Sequence, residues 1–308
     1  MTASTKDILV TTDWLAAHLS DADLRVFDCT GSVGPDFINR GRERHYDVHH
    51  IVGAAYLDVG SPKGEMSNPD GVFPFTWPTE AQFEATMSRL GVANNSRVVL
   101  YAGPNPDAHG GNNVGTTWAT RAWWLMHHFG IDCAMLDGGW QKWVRENRPV
   151  SSKASVYPPT SFKAGSNWRR GLAMKEDVLR AANTGSACIV DSLSPASYRG
   201  ETDKQYGSFG NRKGHIKNAV NAYFESMTDP ATGCFLAPDL LRQQFAVGGV
   251  KTEGPVITYC GGGIGATMTG FALKLIGHDD VAIYDASMME WNANTELPMT
   301  DPSAAVSA

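Results

Sequence analysis

The sequence predicts an α/β fold that is built twice along one chain. Short β-branched runs alternate with helical stretches over its 308 residues, which is typical of a mostly parallel sheet flanked by helices. Segments of the first half recur in the same order in the second half, and a Pro- and Ser-rich stretch separates the two. We therefore expect two tandem domains of one architecture, joined by a linker.

The internal repeat sets the domain limits. The paired segments, in chain order, are LVTTDWLAAH with LAMKEDVLRA, LRVFDCT with ACIVDSL, HHIVGAAYLDV with GHIKNAVNAYF, RVVLYAG with PVITYCG, and MLDGGWQKW with IYDASMMEW. The stretch between the two copies, RPVSSKASVYPPTSFKAGSN, has no helical period. We assign residues 1–148 to an N-terminal domain, residues 149–167 to the linker and residues 168–308 to a C-terminal domain.

Each half contains apolar runs that predict buried strands. They are Arg25–Phe27, Val98–Tyr101 and Ala134–Leu136 in the first half, and Cys188–Val190, Val256–Tyr259 and Val281–Tyr284 in the second. The clearest helices are TWATRAWWLMHHFG and ATMTGFALKLIG, in which bulky apolar residues recur at helical spacing. We expect the second of them to run from Thr267 to Ile276 and to end at Gly277, because glycine is favoured just past a helix C-terminus.

Composition limits the classes of function. The chain is 42% hydrophobic and 19% charged, with a formal net charge of -6, so nucleic acid and anionic membranes are poor partners. It has no apolar stretch near the roughly 18 residues of a membrane span, and its first residues lack the regions of a secretory signal. We expect a cytoplasmic monomer. The 5 cysteines lack CxxC spacing, which predicts neither a disulfide framework nor a metal site.

One cysteine has a setting that favours chemistry. Cys260 follows the run Val256–Tyr259 and opens a glycine loop ahead of a helix; the loop is Gly261-Gly262-Gly263-Ile264-Gly265-Ala266. Loop amides and the positive end of a helix dipole favour an anion at such a place. A thiol there should ionise more readily than a free cysteine, so Cys260 is the candidate nucleophile. The first copy has Ala102 at this position, followed by a longer loop.

Three kinds of chemistry use a glycine loop between a strand and a helix. Gly261, Gly263 and Ala266 fit the dinucleotide-binding pattern GxGxxG/A, with Asp285 closing the next strand, but the first copy has no such spacing. A cysteine phosphatase needs an arginine at the end of the loop to clamp phosphate, and Ala266 stands there. Sulfur transfer through a cysteine persulfide needs an ionised thiol, open amides and little bulk, which glycines supply. We favour sulfur transfer over a cysteine that merely packs in a tight turn.

Taken together, these segments resemble the tandem-domain rhodanese sulfurtransferases, a family that includes thiosulfate and 3-mercaptopyruvate sulfurtransferases. The resemblance rests on GHIKNAVN, YCGGGIGA, LIGHDDVAIYDASMMEW and a terminal LPM in the second half, and on HIVGA, WATRAWWLMHHFG and MLDGGWQKW in the first. It implies two rhodanese-like domains, of which only the second is catalytic, and no metal or organic cofactor. It also implies that Cys260 takes a sulfane sulfur as a persulfide, cradled by the loop amides. The sulfur then passes to cyanide, a thiol or a thioredoxin-like protein.

The resemblance leaves the sulfur donor open. Thiosulfate enzymes of the family tend to have basic residues in the loop, whereas this loop is uncharged and closer to the CG-S/T-G-V-T pattern of the mercaptopyruvate enzymes. Gly262 and Gly265 stand where those enzymes have hydroxyl-bearing residues. Arg199, Arg212 and Asp58 are the candidate donor-binding residues. The alternative function is a non-catalytic persulfide carrier or binding module that serves a partner protein.

Overall fold

The computed structural model describes residues 8–104, 115–165, 171–202 and 207–302. The chain divides into two compact units. Unit 1 comprises Met1–Gly71, Trp77–Arg170 and Thr228–Phe235. Unit 2 comprises Val72–Thr76, Gly171–Met227 and Leu236–Ala308. Each unit therefore contains a short segment whose sequence lies in the other half of the chain.

Unit 1 is built around a parallel sheet. Its strands are Leu9–Val10 (β1), Leu24–Asp28 (β2), His50–Ile51 (β3), Ala55–Tyr56 (β4), Arg97–Tyr101 (β5), Cys133–Leu136 (β6) and Val150–Ser151 (β7). Its helices are Thr12–His18 (α1), Glu80–Arg89 (α2), Thr116–His128 (α3) and Gly139–Arg145 (α4), with a π-helical turn at Arg42–Tyr46. The strand order in the sheet is β1-β6-β5-β2-β4. Strands β3 and β7 form a separate antiparallel pair.

Unit 2 repeats this plan. Its strands are Leu172–Ala173 (β8), Cys188–Asp191 (β9), His215–Ile216 (β10), Val220–Asn221 (β11), Val256–Tyr259 (β12), Val281–Tyr284 (β13) and Met299–Thr300 (β14). Its α-helices are Lys175–Thr184 (α5), Pro195–Tyr198 (α6), Pro238–Val247 (α7), Gly265–Leu275 (α8) and Ser287–Ala293 (α9), with 3-10 turns at Gly207–Phe209 and Phe224–Met227. The sheet order is β11-β9-β12-β13-β8, and β10 pairs with β14 antiparallel. The predicted fold class, a duplicated α/β architecture with mostly parallel sheets, is confirmed.

The six predicted strands form; two match at both ends, and the ends of the others differ by at most one residue. In unit 2 the central strand β12 is buried at every position, which explains why it reads as an unbroken apolar run. The helix predicted from Thr267 begins earlier, at Gly265, and its last residue is Leu275. Gly277 follows with a φ of +86°, the left-handed conformation expected near a helix C-terminus. Among the described residues, no helix has the length and hydropathy to cross a membrane.

Each unit has its own apolar core, and the two cores contain equivalent tryptophans. Trp143 in unit 1 and Trp291 in unit 2 are both fully buried. The indole N–H of Trp143 donates to the carbonyl of Pro149 at 2.9 Å, and that of Trp291 donates to the carbonyl of Pro298 at 3.2 Å. Both side chains therefore contribute to packing in the two cores.

The stretch predicted as a linker contacts unit 1 over much of its described length. Strand β7 pairs with β3, and the hydroxyl of Tyr157 donates to the carbonyl of Gly53 at 2.9 Å. The backbone N–H of Ser155 donates to the hydroxyl of Tyr46 at 2.9 Å.

In unit 2, the segment Val72–Thr76 brings Phe73 against the core, with its ring centroid 5.2 Å from that of Phe209.

Candidate active site

Cys260 lies at the carboxyl end of β12, the central strand of the unit 2 sheet, between β9 and β13. In parallel sheets, ligand sites form beyond this edge. The residue is 3% exposed, so its thiol is largely removed from bulk water. The loop after it leads directly into α8, whose N-cap residue, Ile264, makes no side-chain capping hydrogen bond. The predicted arrangement of strand, glycine loop and helix N-terminus is therefore present.

Close contacts explain two of the glycines in the loop. Gly263 has a φ of +78°, and a Cβ atom at this position would lie 2.1 Å from the carbonyl oxygen of Asp285. Only glycine fits there without moving the backbone. A Cβ at Gly265 would lie 2.8 Å from the ring of Phe224, so an aromatic ring occupies the space that a side chain would need. The space next to Gly265, where a hydroxyl-bearing side chain would lie, is thus bounded by the apolar ring of Phe224.

Another glycine of the loop, Gly262, is less constrained. A Cβ there would lie 3.2 Å from the sulfur and terminal methyl of Met289, and this flexible side chain can move by a few tenths of an ångström. Packing therefore explains the absence of a side chain at Gly262 less well than at Gly263. The missing hydroxyl at Gly262 is a difference in chemistry as much as in shape.

Ser287, the first residue of α9, holds the backbone of Cys260. The Cys260 N–H donates to the Ser287 hydroxyl oxygen at 3.1 Å, and that hydroxyl donates to the carbonyl of Tyr284 at 2.6 Å. The N–H groups of Met288 and Met289 donate to the carbonyls of Cys260 at 3.1 Å and Gly261 at 3.0 Å. Ser287 does this at a φ of +52°, a left-handed conformation that is unfavourable for a serine.

Unit 1 has the same backbone arrangement without the thiol. The N–H of Trp140 donates to the carbonyl of Ala102 at 3.2 Å, as the N–H of Met288 does to Cys260. Gly139, the repeat equivalent of Ser287, has a φ of +50°. The duplication therefore retains the geometry of the edge, while unit 1 has alanine and glycine where unit 2 has cysteine and serine.

A buried Tyr–Asp pair fixes the strand that leads to Cys260. The hydroxyl of Tyr259 donates to a carboxylate oxygen of Asp191 at 2.8 Å and accepts the N–H of Ile216 at 3.0 Å. In unit 1, Tyr101 and Asp28 occupy the equivalent positions. Burial raises the pKa of Tyr101 well above its usual value, and it raises the pKa of Asp28. These pairs stabilise the ends of the central strands.

The two candidate arginines have different surroundings. Arg199 forms a bidentate pair with Glu201, at 2.6 Å and 2.9 Å, and about half of its side chain is exposed. The hydrogen bonds that it donates to Glu201 raise the pKa of Arg199. Arg212 donates to the carbonyls of Trp291, Asn294 and Leu297, at 3.4, 3.0 and 2.6 Å, and burial lowers its pKa. The guanidinium of Arg212 thus lies at the C-terminal end of α9, opposite the end that contacts Cys260.

Asp58 lies in unit 1, where its carboxylate is held by neighbours. Asn39 donates to it at 2.7 Å, and the backbone N–H and hydroxyl of Ser61 donate at 3.0 Å and 2.6 Å. It lines a cavity of about 500 Å³ within unit 1, together with Tyr56 and Arg89. The structure therefore places Arg199, Arg212 and Asp58 in three separate local environments.

The other thiols have surroundings that oppose ionisation. Burial raises the pKa of Cys29 and Cys133 well above the usual value. It also raises the pKa of Cys188 and Cys234, which are partly buried. A thiolate is the reactive form of cysteine, so these four residues are poor nucleophiles.

Comparisons with known proteins agree with this geometry. Residues 174–294 match the model of the rhodanese-like domain. The chain is 32% identical to thiosulfate sulfurtransferase of Rattus norvegicus over 289 residues, covering 92% of this chain and 91% of the relative. It is 30% identical to the sulfur carrier protein TtuD of Thermus thermophilus over 303 residues, covering 95% and 96%. The crystal structure of SseA from Escherichia coli, a 3-mercaptopyruvate sulfotransferase, superposes with a TM-score of 0.75 at 27% identity, covering 91% of this chain and 98% of SseA.

The fold and the buried thiol of unit 2 thus define a sulfur-transferring class of protein. The chain belongs to the rhodanese family of sulfurtransferases. This membership decides against the dinucleotide-binding interpretation of the glycine loop.

The contribution of Ser287 was not predicted from the sequence. The repeat contains one indication of it, because DAS of the second copy aligns with DGG of the first. A serine that replaces a glycine of positive φ is strained, and strained residues cluster at functional sites. The alignment alone does not show that this serine contacts Cys260, because that contact depends on β13 lying next to β12.

Proposed function

We propose that this protein is a persulfide-forming sulfurtransferase with Cys260 as its nucleophile. The observation that carries the proposal is a buried thiol at the carboxyl edge of a parallel sheet, followed by a glycine loop and the N-terminus of α8. Family membership supports the class of reaction, and this setting supports the choice of residue. Because unit 1 has Ala102 at the equivalent position, the proposal gives unit 1 no role in carrying sulfur.

In the first half-reaction, the Cys260 thiolate attacks the outer sulfur of the donor. A sulfur–sulfur bond forms while the bond between that sulfur and the rest of the donor breaks. The electron pair leaves with sulfite when thiosulfate is the donor; from 3-mercaptopyruvate it leaves on carbon, which takes up a proton to give pyruvate. The resulting persulfide has a negative charge on its outer sulfur. In this proposal, the amides of Gly261 to Ala266 and the first turn of α8 stabilise that charge.

In the second half-reaction, an acceptor nucleophile attacks the outer sulfur. The new bond joins that sulfur to the acceptor, and the electron pair of the sulfur–sulfur bond returns to Cys260 as a thiolate. Cyanide would give thiocyanate and a thiol would give a persulfide, which a dithiol protein of the thioredoxin kind could resolve with its second thiol. The first half-reaction forms the persulfide that the second consumes, and the second restores the Cys260 thiolate. The two steps therefore balance without a metal or an organic cofactor.

Of the two donors, 3-mercaptopyruvate fits the loop better. Residues 260–267 have no charged side chain, so within this loop only backbone dipoles attract an anion. A lysine or arginine in the loop would attract the thiosulfate dianion more strongly than a singly charged carboxylate. This loop has neither residue, so it gives thiosulfate no such advantage. We therefore expect a higher kcat/KM for 3-mercaptopyruvate than for thiosulfate.

A persulfide carrier is the second candidate function. It is favoured by the likeness to the sulfur carrier protein TtuD of Thermus thermophilus, which extends over 95% of this chain. In that case Cys260 would be loaded and would pass its sulfur to one protein partner, with little turnover of small acceptors.

The two candidates are separated by measuring turnover and loading on the same samples. Thiocyanate formation from each donor would be measured for the native protein, Cys260→Ser and the control Cys188→Ser, whose thiol lies at the opposite edge of the sheet. We expect Cys260→Ser to lose activity by a factor on the order of 10³ or more, and Cys188→Ser to keep it. A loaded Cys260 in the intact mass without turnover would favour the carrier. Activity that survives in Cys260→Ser would refute both.

A further inference from the structure

Ser192 lies directly opposite Cys260 in the unit 2 sheet. Strands β9 and β12 are parallel neighbours, with Asp191 paired to Tyr259. The N–H of Ser192 donates to the carbonyl of Tyr259 at 2.8 Å, as the N–H of Cys188 donates to Pro255 at 2.8 Å where the same ladder begins. The ladder therefore continues one residue past the paired strands. Neighbouring strands are about 4.8 Å apart, which is within reach of a hydroxyl and a sulfur on the same face.

The side chains of Ser192 and Cys260 point to the same face of the sheet. Tyr259 and Asp191 share one face, because their side chains are hydrogen-bonded at 2.8 Å. Successive side chains of a strand alternate between faces, so Ser192 and Cys260 both point to the other one. That face is covered by α8, since Thr258, two residues before Cys260, donates from its side chain to the carbonyl of Ala266 at 3.0 Å.

The hydroxyl of Ser192 is buried without a partner. The residue is fully buried, and within the described part of the chain its oxygen has no hydrogen-bond partner. Nearly all buried polar groups in proteins are hydrogen-bonded, because an unpaired one costs free energy. Because it lies beside the Cys260 thiol, this unpaired hydroxyl is suited to donate a hydrogen bond to a sulfur anion that forms there during the reaction.

Three other hydroxyls around Cys260 already donate hydrogen bonds to backbone carbonyls. Ser287 donates to Tyr284 at 2.6 Å, Thr267 donates to Ile264 at 2.6 Å, and Thr258 donates to Ala266. A hydroxyl has a single proton to donate. Of these four side chains, only that of Ser192 has its proton available for a sulfur anion.

The duplication provides an internal comparison. Asp28 is the repeat equivalent of Asp191, so Cys29 is the equivalent of Ser192, and its N–H makes the same ladder bond, to Tyr101 at 2.8 Å. Unit 1 thus has Cys29 where unit 2 has the Ser192 hydroxyl, and Ala102 where unit 2 has the Cys260 thiol. The Ser192 hydroxyl occurs only in the copy that has a cysteine at the end of its central strand.

We propose that Ser192 donates a hydrogen bond to the sulfur anion of Cys260, as thiolate and as persulfide, and so replaces the hydroxyl missing at Gly262. The inference rests on the proposed chemistry at Cys260. Rotation about the Cα–Cβ bond of Ser192, between staggered positions, brings its hydroxyl towards the charged sulfur. No covalent bond changes at Ser192, and its proton stays on its oxygen throughout.

The test measures the ionisation of Cys260 directly. The rate of Cys260 alkylation by iodoacetamide, followed by peptide mass, would be measured against pH for the native protein, Ser192→Ala, Ser192→Cys and Ser192→Thr. Hydrogen bonds to charged groups are strong enough that losing one should move the midpoint upward by about one pH unit. We expect this shift in the alanine and cysteine variants, and a midpoint near the native one in the threonine variant, which restores a hydroxyl. The control is Thr269→Val, which removes a buried hydroxyl that bonds Ala222 at 3.4 Å.

The outcomes separate this inference from the proposed function. A fall in kcat with the midpoint shift, in variants whose urea unfolding matches that of the native protein, supports the role of Ser192. Unchanged midpoints in both Ser192→Ala and Ser192→Cys would overturn it, even if Cys260→Ser is inactive and the proposed function stands. Activity that survives in Cys260→Ser would overturn both. Because Ser192→Cys keeps nearly the native volume, a folding defect in the alanine variant leaves the test decisive.

Discussion

Replacing Ser287 separates its hydrogen bonds from its backbone strain. Ser287→Ala removes the hydroxyl and keeps a side chain at a φ of +52°. Ser287→Gly removes the hydroxyl and relieves the strain. In both variants the N–H of Cys260 and the carbonyl of Tyr284 lose the partner that they contact at 3.1 Å and 2.6 Å.

The magnitudes follow from these contacts. Each buried group left without a partner costs about 1–3 kcal/mol, and two groups lose one, so Ser287→Ala should lower the free energy of unfolding by about 2–6 kcal/mol. A left-handed conformation costs an L residue roughly 1–2 kcal/mol, and glycine loses about 0.5–1 kcal/mol through its freer unfolded chain. Ser287→Gly should therefore be more stable than Ser287→Ala by about 1 kcal/mol. Both should lose kcat, because the backbone of Cys260 is no longer fixed.

Urea unfolding of each variant, with kcat measured on the same preparations, tests this reasoning. Gly139→Ala is a matched comparison in unit 1, where a Cβ would lie 2.8 Å from the carbonyl oxygen of Ala102 at a φ of +50°; it should be destabilising without a direct effect on Cys260. If Ser287→Ala is as stable as Ser287→Gly or more so, the strain is not real. If the glycine variant keeps native kcat, the hydroxyl does not position Cys260.

Four further substitutions test the surroundings of the site. Tyr259→Phe removes the hydrogen bonds that the Tyr259 hydroxyl makes with Asp191 and with the N–H of Ile216, and it should lower the free energy of unfolding by about 1–3 kcal/mol in urea titrations; native stability would contradict the role of this pair. Gly263→Ala places a Cβ 2.1 Å from a carbonyl oxygen, so the loop must shift and kcat should fall strongly, whereas an unchanged kcat would show that the loop geometry is not needed. Arg212→Ala should lower the melting temperature, because three carbonyls lose their donor, while KM stays constant. Arg199→Ala should leave stability unchanged, since exposed ion pairs contribute little, and should raise KM for the donor; a native KM would exclude Arg199 from donor binding.

The sequence predicts the central strands well, because strands that are buried on both faces read as continuous apolar runs. Val256–Tyr259 is found as predicted. Two-residue strands such as β1 and β4 were not predicted, since so short a segment shows no period. The start of α8 was placed late because Gly265 and Ala266 also fit a loop.

The candidate site was only partly visible in the sequence. Cys260 and its loop are contiguous and could be identified from one motif. Ser287 and Ser192 reach Cys260 through sheet order, because β13 and β9 flank β12, and no local pattern specifies that order. The packing of Phe73 in unit 2 was likewise invisible, since an apolar residue in a loop does not indicate which core it joins.

The assignment of residues 72–76 to unit 2 and of residues 228–235 to unit 1 has an evolutionary consequence. A gene fragment for residues 168–308 would encode unit 2 without Phe73, a part of its packing that only the other copy supplies. After the duplication, each copy has come to depend on a short piece of the other. A cut at the boundary between the two copies would therefore leave each unit without one of its own segments.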